Sequence, residues 1–250
     1  MNYLQDLQSE WDEFGQIDPL WAIATCPSKK GNRWELGEFF NTGQANVDSV
    51  MKYLEECHVS VSKGRALDFG CGVGRLTQAL ARHFNLVEGV DIAPSMIELA
   101  NKFNRYGGRC KYDVNYAADL SMFDDEIFDF ILSHLVLQHI EPKLSKNYIK
   151  EFLRVLAPKG VLVFDLITEA STFRGKLFIM IYPLLTPALQ LRKRFDRALR
   201  RKRPRVYIIK AGQVEVILQD NGAKLVDAIR FTDNKHYQIV RYLVVKSQPV

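Results

Sequence analysis

Arg65-Ala66-Leu67-Asp68-Phe69-Gly70-Cys71-Gly72-Val73-Gly74-Arg75, followed by Leu86 to Asp91, is the stretch from which the fold of this chain is read. A short run enters Asp68 and meets three alternating glycines at 70, 72 and 74. A helical pattern then starts at Arg75, with Leu76 and Leu80 on one face. Glycines at a strand-to-helix turn let a ligand approach the backbone, because no Cβ stands in the way. The acid at Asp91, about twenty residues on, sits at the end of the next strand, where a carboxylate can hold a ribose diol. Asp91 has a plainer use as well, as a cap for the helix that begins near Pro94.

The glycine spacing narrows the ligand. The dinucleotide fingerprint is G-x-G-x-x-G. Counted from Gly70 its third glycine falls on Arg75, and counted from Gly72 it falls on Thr77, so neither register fits. No Gly-Lys-Ser/Thr follows the turn, which removes the P-loop. The pattern present is Asp-x-Gly-x-Gly-x-Gly, formed by Asp68, Gly70, Gly72 and Gly74. On these residues the sequence resembles the class I S-adenosylmethionine (SAM) dependent methyltransferases of small-molecule type. SAM carries no pyrophosphate, so a phosphate cradle is not required.

The resemblance implies site residues. Asp68 is expected to orient the methionine end of SAM, and Gly70, Cys71, Gly72 and Gly74 to bring the backbone against it. Asp91 is expected on the ribose, and Ile92 and Met96 against adenine. Ala118 and Asp119 fall in the loop that reads the adenine amino group. Ser133 ends the fourth strand, where a carbonyl meets the SAM amino group. The product would be S-adenosylhomocysteine, and no metal is expected. Past the fourth strand, His134, Gln138 and His139 are candidates for a base, with His139 preferred. A structural histidine packed beneath the loop is the plainer reading of His139. No Asn-Pro-Pro-Tyr-type sequence follows this strand.

Composition sets the scale. The chain has 250 residues, 47% of them hydrophobic, enough for one α/β domain with additions. Four cysteines form no C-x-x-C pair, which suggests reduced thiols and a cytoplasmic setting. The first residues lack a signal-peptide layout, and no stretch reaches the roughly 18 apolar residues of a spanning helix.

Strand and helix patterns alternate from residue 65 to 167. Strands are expected at 65–69, 86–90, 110–115, 128–133 and 160–167, with helices at 75–83 and 94–103 and from Ser145 through Leu156. A helix at 211–219 and two strands at 223–231 and 237–246 complete the pattern. The fold class is therefore α/β: a Rossmann-like, seven-stranded, mostly parallel sheet with helices on both faces and a C-terminal antiparallel hairpin. Residues 1–42 read as an aromatic-rich extension of short helices and loops, and 43–250 as the SAM-dependent domain, with a helix from Gly43 to His58. Trp21, Trp34 and Phe40 are expected to pack there, with partial contact to the pocket.

Residues 168–206 interrupt the alternation as an insertion. Its first half is apolar, and residues 192–205 then carry nine bases against one acid, a local +8 in a chain of net +5. Three readings stand: a helical lid over the acceptor pocket, an interfacial element meeting an anionic membrane through 177–205, and a nucleic-acid arm. The last is weakest, because no aromatics lie among Arg200 to Arg205. The expected partner is a small-molecule or lipid-like acceptor. The alternatives are a SAM-binding protein without turnover and a nucleic-acid methyltransferase using 192–205.

Overall fold

Seven strands pair in the order β3-β2-β1-β4-β5-β7-β6 in the computed structural model, which describes residues 3–170, 205–233 and 237–248. They are β1 (Arg65–Phe69), β2 (Leu86–Asp91), β3 (Cys110–Val114), β4 (Phe128–Ser133), β5 (Leu156–Ala170), β6 (Ala223–Asp233) and β7 (Tyr237–Lys246). The first five pair in parallel, and β7 runs antiparallel to both β5 and β6. The Rossmann-like sheet and the closing hairpin are thus as the pattern predicts. The chain steps outward from β1 to β3 and returns to β4 on the other side of β1. That reversal is the switch point at which open α/β sheets bind ligands.

Helices cover both faces. On one side α3 (Leu36–Glu56), α4 (Arg75–Leu80) and α5 (Pro94–Phe103) bury Val47, Val50, Leu76, Leu80 and Ile97 against Phe130, Val161 and Leu243. On the other, α6 (Pro142–Val155) and α7 (Ala211–Asp220) bury Ile149, Phe152, Val214 and Leu218 against Leu67, Ile131 and Phe164. Each strand that is buried on both faces reads as a continuous apolar run for this reason.

Several boundaries differ from the sequence expectation. Helix α6 starts at Pro142 rather than Ser145, because proline suits the first helical position and gives up no needed hydrogen bond there. It hands over directly to β5, whose register shifts between Leu156 and Val161, so Pro158-Lys159-Gly160 forms a bulge within the strand. Strand β5 then runs to Ala170, opposite Tyr237, so the described chain is still in the sheet at 168–170. The rest of the expected insertion, 171–204, lies outside the described residues.

The N-terminal residues form more regular structure than their composition suggests. Helix α1 (Tyr3–Ile17) has 15 residues, and α2 (Pro19–Ile23) follows at once. Helix α3 begins at Leu36 and crosses 42–43 without a break, since the Glu35 side chain accepts the Glu38 amide at 2.9 Å and caps it there. Asp12 ties α1 to the body, taking the Ser95 amide on Oδ1 and the Ser95 hydroxyl on its carbonyl.

Candidate cofactor and acceptor site

The three glycines of the turn all adopt positive φ, of 76°, 53° and 79° at 70, 72 and 74. All three also leave room for specific neighbours, Gly70 for Val136, whose Cγ2 a Cβ there would run into. A Cβ at Gly72 would lie 2.5 Å from Ile23 Cδ1, and one at Gly74 would lie 2.5 Å from Tyr112 Oη. Gly72 therefore admits the N-terminal segment over the turn, while Gly74 admits β3 beneath it.

The amides of this turn point inward. Gly70 and Cys71 both donate to the Val90 carbonyl, at 2.8 and 3.0 Å, and Gly74 donates to Cys71. Gly72 donates to Asp91 Oδ2 at 2.9 Å, and Ala93 donates to Asp91 Oδ1 at 2.9 Å. A phosphate-binding loop needs amides aimed at the ligand. Here they are spent on β2 and its terminal aspartate. Each oxygen of Asp91 keeps a lone pair for a donor from the cavity. Burial pushes the Asp91 carboxyl above its ordinary value, against the pull of the Ala93, Gly72 and Ile92 amides.

Above this turn lies a cavity of about 1060 Å³. A single ligand pocket commonly takes roughly 300–1,000 Å³. The space therefore suits a cofactor and an acceptor together. Of the residues expected from sequence, Gly70, Cys71, Gly72, Asp91, Ile92, Met96, His134, Gln138 and His139 line it.

The other expected residues stand behind or beside the wall. Asp68 is 1% exposed and accepts the Thr77 hydroxyl at 2.6 Å. Burial lifts its carboxyl to about 6, opposed by Thr77 and the Arg75 guanidinium and helped by Asp91. Gly74 caps α4, and Ser133 is fully buried with its hydroxyl unpaired. Ala118 accepts the Asn147 amide on its carbonyl, and the Ser121 side chain together with the Ser121 amide holds the Asp119 carboxyl below the ordinary value. Cys71 is buried, which pushes its thiol far up and leaves it unreactive.

Asn115 and Tyr148 also line the cavity, and the sequence reading did not single them out as site residues. Asn115 donates to the Asp119 carbonyl and accepts the Ala117 amide, and the Tyr148 hydroxyl donates to the Ala117 carbonyl at 2.7 Å. Together they fix the 115–119 loop over β3. The positional signal was there: Asn115 closes the expected third strand, and in the structure it directly follows β3.

The far end of the cavity is assembled from distant pieces. Leu7, Trp11 and Phe14 come from α1, Trp21 and Ile23 from α2, and His134 to Ile140 from the loop after β4. His139 packs edge-on against Trp11, with ring centroids 5.3 Å apart. Its Nδ1 lies 2.7 Å from the Arg205 carbonyl, so Nδ1 carries the hydrogen, and Nε2 faces the Gln138 amide at 3.3 Å. Burial lowers the pKa of this imidazole despite the carbonyl acceptor, which keeps it neutral. Both ring nitrogens of His139 thus already have partners. Arg205, the last base of the 192–205 run, pairs with Glu10 at 2.7 Å and lies over the Tyr3 ring. It fastens α1 to the segment leading into α7.

Among the described residues, no helix is long and apolar enough to cross a membrane, and no group of three or more His, Cys, Asp or Glu could hold a metal ion.

Residues 67–164 match a family model described as a methyltransferase domain. A ubiquinone biosynthesis O-methyltransferase of Coxiella burnetii is 29% identical over 134 residues, covering 52% of this chain and 54% of that protein. The chain thus spans about half the length of that relative. An uncharacterized protein of Methanocaldococcus jannaschii is 36% identical over 144 residues, covering 58% of this chain and 62% of its own length. Among solved structures, magnesium protoporphyrin IX methyltransferase from Synechocystis PCC 6803, with bound S-adenosylhomocysteine, superposes with a TM-score of 0.64. It is 20% identical and covers 97% of this chain and 99% of its own, a likeness of fold.

Proposed function

We propose that this chain, whose residues 67–164 are a methyltransferase domain of class I fold, transfers the methyl group of SAM to a small-molecule or lipid-like acceptor. The observation that carries the reading is the inward-turned glycine loop beside a pre-oriented Asp91. Such a turn offers close backbone approach and a ribose partner but no anion cradle, which suits a ligand without a pyrophosphate.

In this reading Asp91 holds the ribose hydroxyls, and Ile92 and Met96 lie against adenine. The 115–119 loop borders the adenine, and Gly70 to Gly72 back the methionine chain. Asp68 acts from behind the wall, through Thr77 and Arg75. When bound, SAM supplies a methyl group already activated on sulfonium. The protein's main contribution is then alignment, which can lower a barrier by roughly 7–11 kcal/mol. Leu7, Trp11, Phe14 and Trp21 give the acceptor an apolar, aromatic wall, and His139 with Gln138 closes its end. A lipid-like acceptor fits such a wall, and the bases of 192–203 would then meet an anionic membrane surface.

The test is calorimetric titration with SAM, followed by transfer of a tritiated methyl group to soluble and lipid fractions of a cell extract. Binding with labelled product is the expected result. SAM binding without product in either fraction would mark a binding protein without turnover. Loss of vesicle co-sedimentation on deleting 176–205 would support the membrane contact, and unchanged binding would remove it.

A further inference from the structure

An ionic cluster that the glycine motif does not explain lies level with the end of β4. His134 directly follows β4, Asp165 lies on β5, and Arg241 lies opposite Asp165 on β7. Asp165 is 1% exposed. Arg241 Nε donates to its Oδ1 at 2.8 Å and Nη2 to its Oδ2 at 3.0 Å. His134 Nδ1 is 2.5 Å from the same Oδ2. A contact that short to a carboxylate requires a hydrogen on Nδ1. The Nε2 atom then carries the lone pair, and the Asn46 amide stands 3.4 Å from it on the donor side. Burial raises the Asp165 carboxyl, but the hydrogen bonds and charges of His134 and Arg241 outweigh it and leave it below the ordinary value.

A structural tie between β5 and β7 needs only Asp165 and Arg241. His134 joins it from the end of β4, with Nδ1 2.5 Å from Asp165 Oδ2 and 3.0 Å from Arg241 Nη2, and it also lines the large cavity. The contrast with His139 lies behind the ring. His139 Nδ1 is held by an uncharged carbonyl, whereas His134 Nδ1 faces an ionised carboxylate; in front, each Nε2 meets one side-chain amide, at 3.3 Å from Gln138 and 3.4 Å from Asn46. A carboxylate behind Nδ1–H fixes the ring in the tautomer that keeps the lone pair on Nε2.

We infer that His134 is the general base of the transfer, positioned by Asp165 and Arg241, and that the acceptor is a hydroxyl compound of phenol or enol type. The inference rests on the SAM-dependent reading above. An anion such as a carboxylate or halide has no proton to lose and no use for this arrangement. In the step, the acceptor oxygen bonds the methyl carbon as the S–CH3 bond breaks and its electron pair stays on sulfur. The hydroxyl proton passes to His134 Nε2 and from there to solvent.

The experiment uses the full chain, tritiated SAM, and two probes at about pH 8: catechol, which must lose a proton, and 4-nitrophenol, which is already largely ionised. His134→Gln is expected to slow catechol methylation on the order of 100-fold, and 4-nitrophenol methylation by less than about threefold. SAM affinity, read by calorimetry, should stay unchanged. His139→Gln should slow both phenols alike. Equal slowing of the two phenols by His134→Gln, or no slowing of catechol, overturns the assignment. A wild-type chain that binds SAM but labels neither phenol overturns the hydroxyl acceptor and leaves the SAM reading standing. A chain that binds no SAM overturns that underlying reading instead. If His134→Gln does not fold, 15N NMR of the wild-type histidines decides. Hydrogen on Nδ1 of His134, with an Nε2 signal that moves on adding catechol, is the supporting result. Hydrogen on Nε2, or no response, overturns it.

Discussion

The two ends of the cavity are built in opposite ways. The glycine-turn end comes from one continuous stretch, β1 through Asp91, and its polar groups are satisfied by neighbours within about twenty residues. The acceptor end draws on α1, the 134–140 loop, β5, β7 and the Arg205 segment, which meet only in the folded chain. Their buried carboxylates differ accordingly. Asp68 has one hydroxyl donor and is pushed up to about 6, whereas Asp165 has His134 and Arg241 and is held down. A local motif can fix a cofactor, while a substrate site is set by whatever distant elements the fold brings to the same rim.

The contrast can be broken most sharply at Asp91. Replacing it with alanine removes a charged acceptor for two hydroxyls and leaves the Gly72 and Ala93 amides without their partner. Hydrogen bonds to charged groups contribute about 1.5–3 kcal/mol each. SAM affinity should therefore fall on the order of 10³-fold by calorimetry, with the acceptor end intact. A loss below about tenfold would separate Asp91 from the ribose.

Asp68 tests the electrostatic side. Its folded-state pKa, about 6, lies above the ordinary carboxylate value, so the folded chain holds this proton more tightly than the unfolded one. Its stability contribution is fully present below about pH 4 and is lost as the pH rises through about 6, an amplitude of at most about 3 kcal/mol. Urea unfolding across that window should show the gain on acidification in wild type, and Asp68→Asn should flatten it. Asp165 works with the opposite sign: its depressed value means its contribution is lost as the pH falls through the acid range.

Gly74→Ala tests the packing beneath the turn. The added Cβ would meet Tyr112 Oη at 2.5 Å on a backbone with φ of 79°. Strain of both kinds should destabilise the fold by about 2 kcal/mol, read as a lower urea midpoint. The smallest effect belongs to the acceptor end. The Glu10–Arg205 pair is partly buried, and a double-mutant cycle to alanine should return about 0.5–1 kcal/mol of coupling. A larger value would make the N-terminal helix more firmly held than its contacts suggest.

The same division governs what could be read in advance. Strands β1 to β4 and the β6–β7 hairpin follow from apolar runs and turn residues, because a strand buried on both faces leaves a continuous signature. Gly70, Gly72 and Asp91 were legible because their spacing is local. Residues 1–42 were read as short helices and loops, and the continuous 15-residue helix α1 was not singled out although Leu4, Leu7, Trp11 and Phe14 recur at helical spacing. The His134–Asp165–Arg241 cluster spans 107 residues in sequence, and nothing local to His134 announces its partners. His139 drew attention as a histidine after β4, yet five residues earlier His134 has the better-prepared ring. Arg205 was counted with a basic run, whereas its guanidinium serves the fold through Glu10.

The central claim is that the turn at 70–74 with Asp91 takes SAM and not a phosphate-bearing nucleotide. Parallel calorimetric titrations of the purified chain with S-adenosylhomocysteine, NAD and ATP test it most directly. The account predicts one-to-one binding of S-adenosylhomocysteine, lost in Asp91→Ala, and no measurable heat from NAD or ATP. Tighter binding of either nucleotide, or S-adenosylhomocysteine binding that survives in Asp91→Ala, would contradict it.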